Sequence, residues 1–239
     1  MLSLTEISKV VGISKSTVHR LLATLESRRF LIRDNFTGKY RLGFRFLEMA
    51  SQAFEDVDQQ WALPYLENLA KESGETVDLA ILDGDHVIYL QVIESNKRVK
   101  IAASKGQRLP AYCTATGKAF LAYLPEEHVN RILSSGFMKY TEKTHISLDT
   151  LQSDLIETRQ RGFSISRQEY EKEINAVAVP ILAPDGFPVA AIAIVGPSFR
   201  LPEERMLELG RAIQAEIEAI TREVGLSTLS VLIPRGGSQ

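Results

Sequence analysis

Along the first 45 residues the apolar positions recur at helical spacing. Leu4, Ile7 and Val10/Val11 fall at i, i+3 and i+6/i+7 and predict a short amphipathic helix. Ser3-Leu4-Thr5-Glu6 opens it as a capping box, in which the Ser3 hydroxyl accepts from the Glu6 N–H and the Glu6 carboxylate reaches back to the N–H of Ser3. Gly12 supplies the left-handed residue that ends a helix. Ser14 then caps a second helix, whose stripe Val18, Leu21, Leu22 and Leu25 repeats at i, i+3, i+4 and i+7. So tight a helix–glycine–helix spacing is that of a helix-turn-helix. Beyond Arg28-Arg29 the pattern changes to two short strands, 30–33 and 39–42, around turn residues 34–38, which is the hairpin of a wing.

The apolar residues Phe46, Leu47, Ala50, Ala53, Phe54 and Val57 predict a linker helix over 44–60. It reads equally as a rigid transmitter, a plain spacer or a dimer contact. A further helix follows from Pro64 to Glu72, ended by Gly74. Strands are expected over 77–82, 87–93 and 99–103, with Asp83-Gly84-Asp85 as a hairpin turn. Helical patterns occupy 115–124, 126–135 and 148–161. Strands near 176–182 and 187–195 follow, joined by Pro184-Asp185-Gly186, and a last helix covers 202–224. Hairpins at both ends with helices between predict an α+β body on an antiparallel sheet. The expected division is a head over 1–43, the linker helix, a body over 61–226 and a disordered tail over 227–239.

The chain has 239 residues, which suits one large domain or two smaller ones, and 44% are hydrophobic, which excludes wholesale disorder. No apolar run is long enough to span a membrane, and the N-terminus has no secretory pattern, so a cytoplasmic protein is expected. The single cysteine, Cys113, excludes an internal disulfide and a multi-cysteine zinc site. The net charge of −2 hides an asymmetry. Residues 1–45 hold nine Lys/Arg against three Asp/Glu, leaving nineteen against twenty-seven in the rest. A basic head on an acidic body points to a polyanion at the head only; clustering on a solvated surface is the plain alternative.

The outward face of the second helix carries the chemistry. Lys15, Ser16, His19 and Arg20, with Thr17 at the edge and Ser14 as cap, stand where a helix-turn-helix reaches base edges and phosphates in the major groove. Lys39 and Arg41 alternate along the returning strand and so share a face that suits the DNA backbone, with Tyr40 between them. A charged helix pair used for packing is the competing reading.

In the body, small and hydroxylated residues crowd 109–122 at the start of a helix. A helix N-terminus offers free N–H groups to a carboxylate, and small side chains let a ligand approach. The segment 161–171 is dense in polar groups and reads either as the polar wall of a pocket or as an exposed charged loop.

The run from Leu4 to Leu25, with Gly12-Ile13-Ser14-Lys15-Ser16-Thr17-Val18-His19-Arg20 at its centre, and Gly38-Lys39-Tyr40-Arg41-Leu42-Gly43 resemble the winged helix-turn-helix of the IclR family of bacterial transcription regulators. In that family a further helix precedes the position of Met1, so the head as written is expected to lack the first family helix. The stretches 109–122 and 161–180, and Asp185-Gly186 with Gly196-Pro197, resemble the family's GAF-like α+β effector domain. The resemblance implies double-stranded operator DNA as partner, a small organic acid as effector, no cofactor, and a homodimer or dimer of dimers. It also implies ligand contacts at Ala115, Thr116, Ser166 and Ala176, with Cys113, Thr114, Glu169 and Tyr170 beside them. Ser166 stands where some members carry an acid.

Two other classes compete. An enzyme would use Cys113 as nucleophile with His128 or His145 as base, since a thiolate near a helix N-terminus is physically sensible. Neither histidine has a sequence context that brings it to Cys113, and neither metal spacing nor a glycine-rich phosphate loop appears, so no catalysis and no metal site are expected. A stand-alone ligand-binding or oligomerisation module, its head unable to grip DNA, is the other.

Overall fold

The computed structural model of the chain describes residues 1–34, 36–46, 48–49 and 60–224. The predicted linker helix falls largely outside these residues, as does the predicted tail. Two compact units divide at Val57/Asp58.

In the first unit α1 (Leu4–Val11) carries the full capping box: Ser3 N–H donates to Glu6 Oε2 at 2.7 Å and Glu6 N–H to Ser3 Oγ at 3.3 Å. Gly12 stands at φ 73° and hands the chain to α2 (Lys15–Ser27). Strands β1 (Leu31–Arg33) and β2 (Tyr40–Leu42) pair antiparallel, Ile32 opposite Arg41. The core of this unit is Val18, Leu22 and Tyr40, closed by Leu4, Ile7, Ile13 and Leu31. The predicted stripe of α2 is thus only half used. Val18 and Leu22 are buried, whereas Leu21 and Leu25 stay 52% and 41% exposed, because α1 and the wing cover only one side of the helix.

The second unit starts with α3 (Leu63–Ser73), which has proline in its first turn and ends at Gly74. Six strands form one antiparallel sheet: β3 (Thr76–Asp83), β4 (His86–Ile93), β5 (Arg108–Pro110), β6 (Ser164–Arg167), β7 (Ile174–Leu182) and β8 (Pro188–Pro197). Their spatial order is β5-β4-β3-β8-β7-β6, so the two hairpins β3–β4 and β7–β8 meet at the centre through β3 and β8. Between β5 and β6 run α4 (Ala115–Leu121), α5 (Glu126–Ile132) and α6 (Leu148–Arg161), and α7 (Glu203–Val224) follows the sheet.

Alternation along the strands sorts the two faces. Ala80, Ala178, Ala191 and Ala193 pack with Ala115, Ala119 and Phe120 of α4. Ile192 and Ile194, one residue out of phase, are fully buried on the other side, where α3 and α7 lie against the sheet and each other. The alanines draw α4 close and leave room beside it. Gly117 makes that approach possible, since a Cβ there would sit 2.1 Å from the carbonyl oxygen of Ala111.

Two expectations need correction. The third strand is not 99–103 but Arg108–Pro110. The earlier stretch is a loop held to β3 by Thr76 Oγ1, which donates to the Ile101 carbonyl at 3.1 Å. The polar segment after Gly162 is not an exposed loop at its start: Ser164, Ile165 and Ser166 are buried in edge strand β6, paired to β7.

Candidate functional site

The head offers an exposed polar surface at the start of α2. Ser14 caps the helix, accepting from Thr17 N–H at 3.3 Å, and its Oγ lies 3.0 Å from Ser16 Oγ and 2.9 Å from Thr17 Oγ1. Ser14, Lys15, Ser16, Thr17, His19 and Arg20 are all exposed, and the first turn of α2 holds no acid. The wing turn is set by Asp34, whose Oδ1 accepts from the Thr37 N–H at 2.7 Å and from the Phe36 N–H at 3.1 Å. These bonds, those of Thr37 foremost, hold its carboxyl below the usual range. Arg41 is exposed on β2 and Lys39 half-buried before it. None of the ion pairs among the described residues takes Lys15, Arg20, Lys39 or Arg41; Lys15 and Arg20 stand exposed, while Lys39 lies near Glu6 and Arg41 near Asp34. Tyr40 departs from expectation. Alternation that turns Arg41 outward turns Tyr40 inward, where its ring is 6% exposed against Val18 and Leu22.

In the second unit a cavity of about 640 Å³, counted out to its open mouth, lies between α4 and the sheet. Its walls bring together Cys113, Thr114, Ala115, Thr116, Ser166, Tyr170 and Ala176, residues far apart in the chain. Asp78 of β3, Tyr89 of β4, Gln107, Leu109 and the 101–103 loop close other sides, with Ile174, Ala193 and Val195 beside Ala176 and Glu171 near Tyr170. No Lys, Arg or His is among the lining residues. Thr114 caps α4, accepting from Gly117 N–H at 3.2 Å, and its carbonyl takes Lys118 N–H at 3.0 Å. The N–H groups of Ala115 and Thr116 therefore have no acceptor within their own helix. Ser166 Oγ lies 3.4 Å from the Cys113 carbonyl, tying β6 to the turn before α4.

Glu169 does not line this cavity. It is 4% exposed and turns towards α4, accepting from Lys118 Nζ at 2.7 Å and Arg167 N–H at 3.1 Å. Lys118 is fully buried, and its ammonium also donates to Asp154 and, at 2.7 Å, to the Ile165 carbonyl. His145 completes the group, with Nε2 3.5 Å from Asp154 and 3.7 Å from Glu169. His145, Asp154 and Glu169 lie close enough together to ligate a metal, but the Lys118 ammonium already bonds both carboxylates, and Arg161 adds a second cation 3.5 Å from Asp154.

Cys113 is a fully buried thiol. Burial, helped by Glu169, pushes its thiol up to about 12, and its Sγ lies 3.9 Å from the Pro110 carbonyl. Asp78 and Tyr89 were not legible as site residues. The available signal was a lone acid inside the apolar strand sequence Val77-Asp78-Leu79-Ala80-Ile81.

Comparison with known proteins places the chain in a family. Residues 1–35 match the IclR helix-turn-helix domain, and residues 56–222 match the family described as bacterial transcriptional regulator IclR C-terminal. The HTH-type transcriptional regulator XynR of Escherichia coli is 34% identical over 227 residues, which cover 94% of this chain and 90% of that protein. A putative IclR regulator from Silicibacter superposes with a TM-score of 0.80 at 26% identity, covering 94% of this chain and 89% of that one. An IclR homologue from Microbacterium hydrocarbonoxydans, solved in complex with 4-hydroxybenzoate, superposes with a TM-score of 0.75 at 26% identity, covering 92% of this chain and 91% of that one. The chain belongs to the IclR family of bacterial transcriptional regulators and is a DNA-binding regulator.

Proposed function

We propose that the head, residues 1–43, grips operator DNA through α2 and the wing, and that a small organic acid bound in the cavity of the body, residues 61–226, sets that grip. Lys15, Ser16, Thr17, His19 and Arg20 meet base edges and flanking phosphates, with Ser14 holding the helix start. Lys39 and Arg41 run along the backbone, where charge fixes position. The protein works as a homodimer or a dimer of dimers, since two-fold heads match a palindromic operator. It acts in the cytoplasm, where its operator lies.

The observation that carries this reading is the convergence of Cys113, Thr114, Ala115, Thr116, Ser166, Tyr170 and Ala176 on one cavity. An acid there meets neutral groups, the Thr116 hydroxyl and the Gln107 amide, in place of a cation. The helix α4 has only seven residues, so its dipole adds less than its free N–H groups. The complex of a similar protein with 4-hydroxybenzoate supports the choice of a small organic acid. Control of DNA binding requires the acid to prefer one arrangement of the heads; tight binding alone shifts nothing.

The test screens small organic acids against the full chain by thermal melting, then measures DNA retardation with and without those that bind. An acid that raises the melting temperature and changes DNA affinity is expected. A chain that retards DNA but responds to no acid returns the cavity to a packing defect. A chain that binds acids but retards no DNA leaves a stand-alone binding module.

A further inference from the structure

One acid lining the cavity is Asp78, on the central strand β3 opposite Ala193 of β8. It is 1% exposed, and its Oδ1 is buried with no hydrogen-bond partner. A buried acceptor left unsatisfied costs about 1–3 kcal/mol, and more if charged. No described ion pair takes this carboxylate, unlike buried Glu75, which Arg200 grips with two bonds at 2.6 and 2.7 Å. The unpartnered oxygen of Asp78 therefore weakens the fold. Its surroundings are hydroxyls: Thr116 hydrogen-bonds the carboxyl from α4, and Tyr89 lines the same wall from β4.

We infer that Asp78 is a specificity-determining residue of the effector site, its free oxygen accepting a hydroxyl proton from an organic acid that carries one. This rests on the organic-acid reading above and extends it from an acid to a hydroxy acid. A hydroxyl suits the place better than an ammonium. Burial drives the Asp78 carboxyl towards its neutral form, up to about 8, and an ammonium would demand the charged form and lose its own hydration as well. The apolar floor of Ala176, Ala193 and Val195 takes the carbon skeleton.

The experiment measures affinity for matched acids on the full chain by thermal-shift titration and calorimetry. The probes are propionate, lactate and alanine, and benzoate with 4-hydroxybenzoate. The native chain is expected to bind at least one hydroxy acid about tenfold tighter than its parent, the worth of one good hydrogen bond. In Asp78→Ala, and in Asp78→Val should the alanine variant melt poorly, that advantage disappears and the hydroxy acid binds no better than its parent. Parent and hydroxy acids bound equally well by the native chain overturn the inference and leave the organic-acid reading standing. So does a hydroxyl advantage that survives both substitutions, or an advantage belonging to alanine over lactate. A native chain bound by no acid of either set overturns both readings.

Discussion

The Lys118 ammonium lies 2.7 Å from Glu169 Oε1 in a place from which solvent is excluded, joining the middle of α4 to the loop after β6. The same ammonium reaches Asp154 on α6 and the Ile165 carbonyl on β6. Four segments of the cavity's scaffold thus meet at one nitrogen. Such a pair stabilises less than its Coulomb energy suggests, since both charges were taken out of water, but its halves cannot be separated cheaply.

Lys118→Met is accordingly expected to cost about 3–5 kcal/mol by urea denaturation, because it leaves buried Glu169 without its ammonium partner and half-buried Asp154 with only Arg161 and His145 beside it. Adding Asp154→Asn and Glu169→Gln to that variant should restore part of the loss. A Lys118→Met chain as stable as the native one would show that the cluster contributes nothing.

The same cluster predicts acid sensitivity. Burial pushes Asp154 up, but His145 and Lys118 outweigh it and hold its carboxyl well below the ordinary carboxylate range. A lowered folded-state value stabilises above the unfolded value near 4 and is lost as pH falls through the folded one. The native chain should therefore lose stability below about pH 4 more steeply than Asp154→Asn in acid titrations followed by circular dichroism.

Asp78 has the opposite sign. Burial raises its carboxyl to about 8, with Thr116 facing it from α4, Tyr89 from β4 and Tyr170 from the loop after β6. A raised folded-state value means stability is full below the unfolded value near 4 and falls as pH rises towards 8, by up to about 1.4 kcal/mol per pH unit. Asp78→Asn should remove this slope, so the variant gains on the native chain between about pH 5 and pH 8 in melting experiments. Parallel curves for the two would place the carboxyl in contact with water.

Caps and turns were legible because their causes are local. Ser3 with Glu6, Gly12 and Ser14 mark the two head helices within a few residues, and Asp185-Gly186 marks the β7–β8 turn. What failed depended on partners distant in sequence. The apolar run at 99–103 looked like a strand, but β4 takes 108–110 as its neighbour, and only that choice brings Ile101 and Ala103 to the cavity. Glu169 looked like a pocket residue until Lys118, 51 positions earlier, claimed it. The burial of Tyr40 followed from the alternation that exposed Arg41, a consequence available in the sequence and not drawn from it.

At the head, replacing Lys39 and Arg41 by Ala should weaken binding to all DNA sequences alike and flatten the salt dependence by about one unit of slope per lost phosphate contact. Fluorescence anisotropy across a salt series decides it. An unchanged slope would remove the wing from the interface.

The claim that one cavity governs the grip on DNA is tested most directly by Thr116→Leu, which fills the cavity wall at the start of α4, within the second unit. The quantity to measure is the affinity of full-length native and variant chains for a fragment selected from random-sequence DNA, with and without an acid that raises the native melting temperature. The account predicts equal DNA affinity for both chains without the acid, and a response to it in the native chain alone. A variant whose DNA affinity still answers to the acid would contradict it.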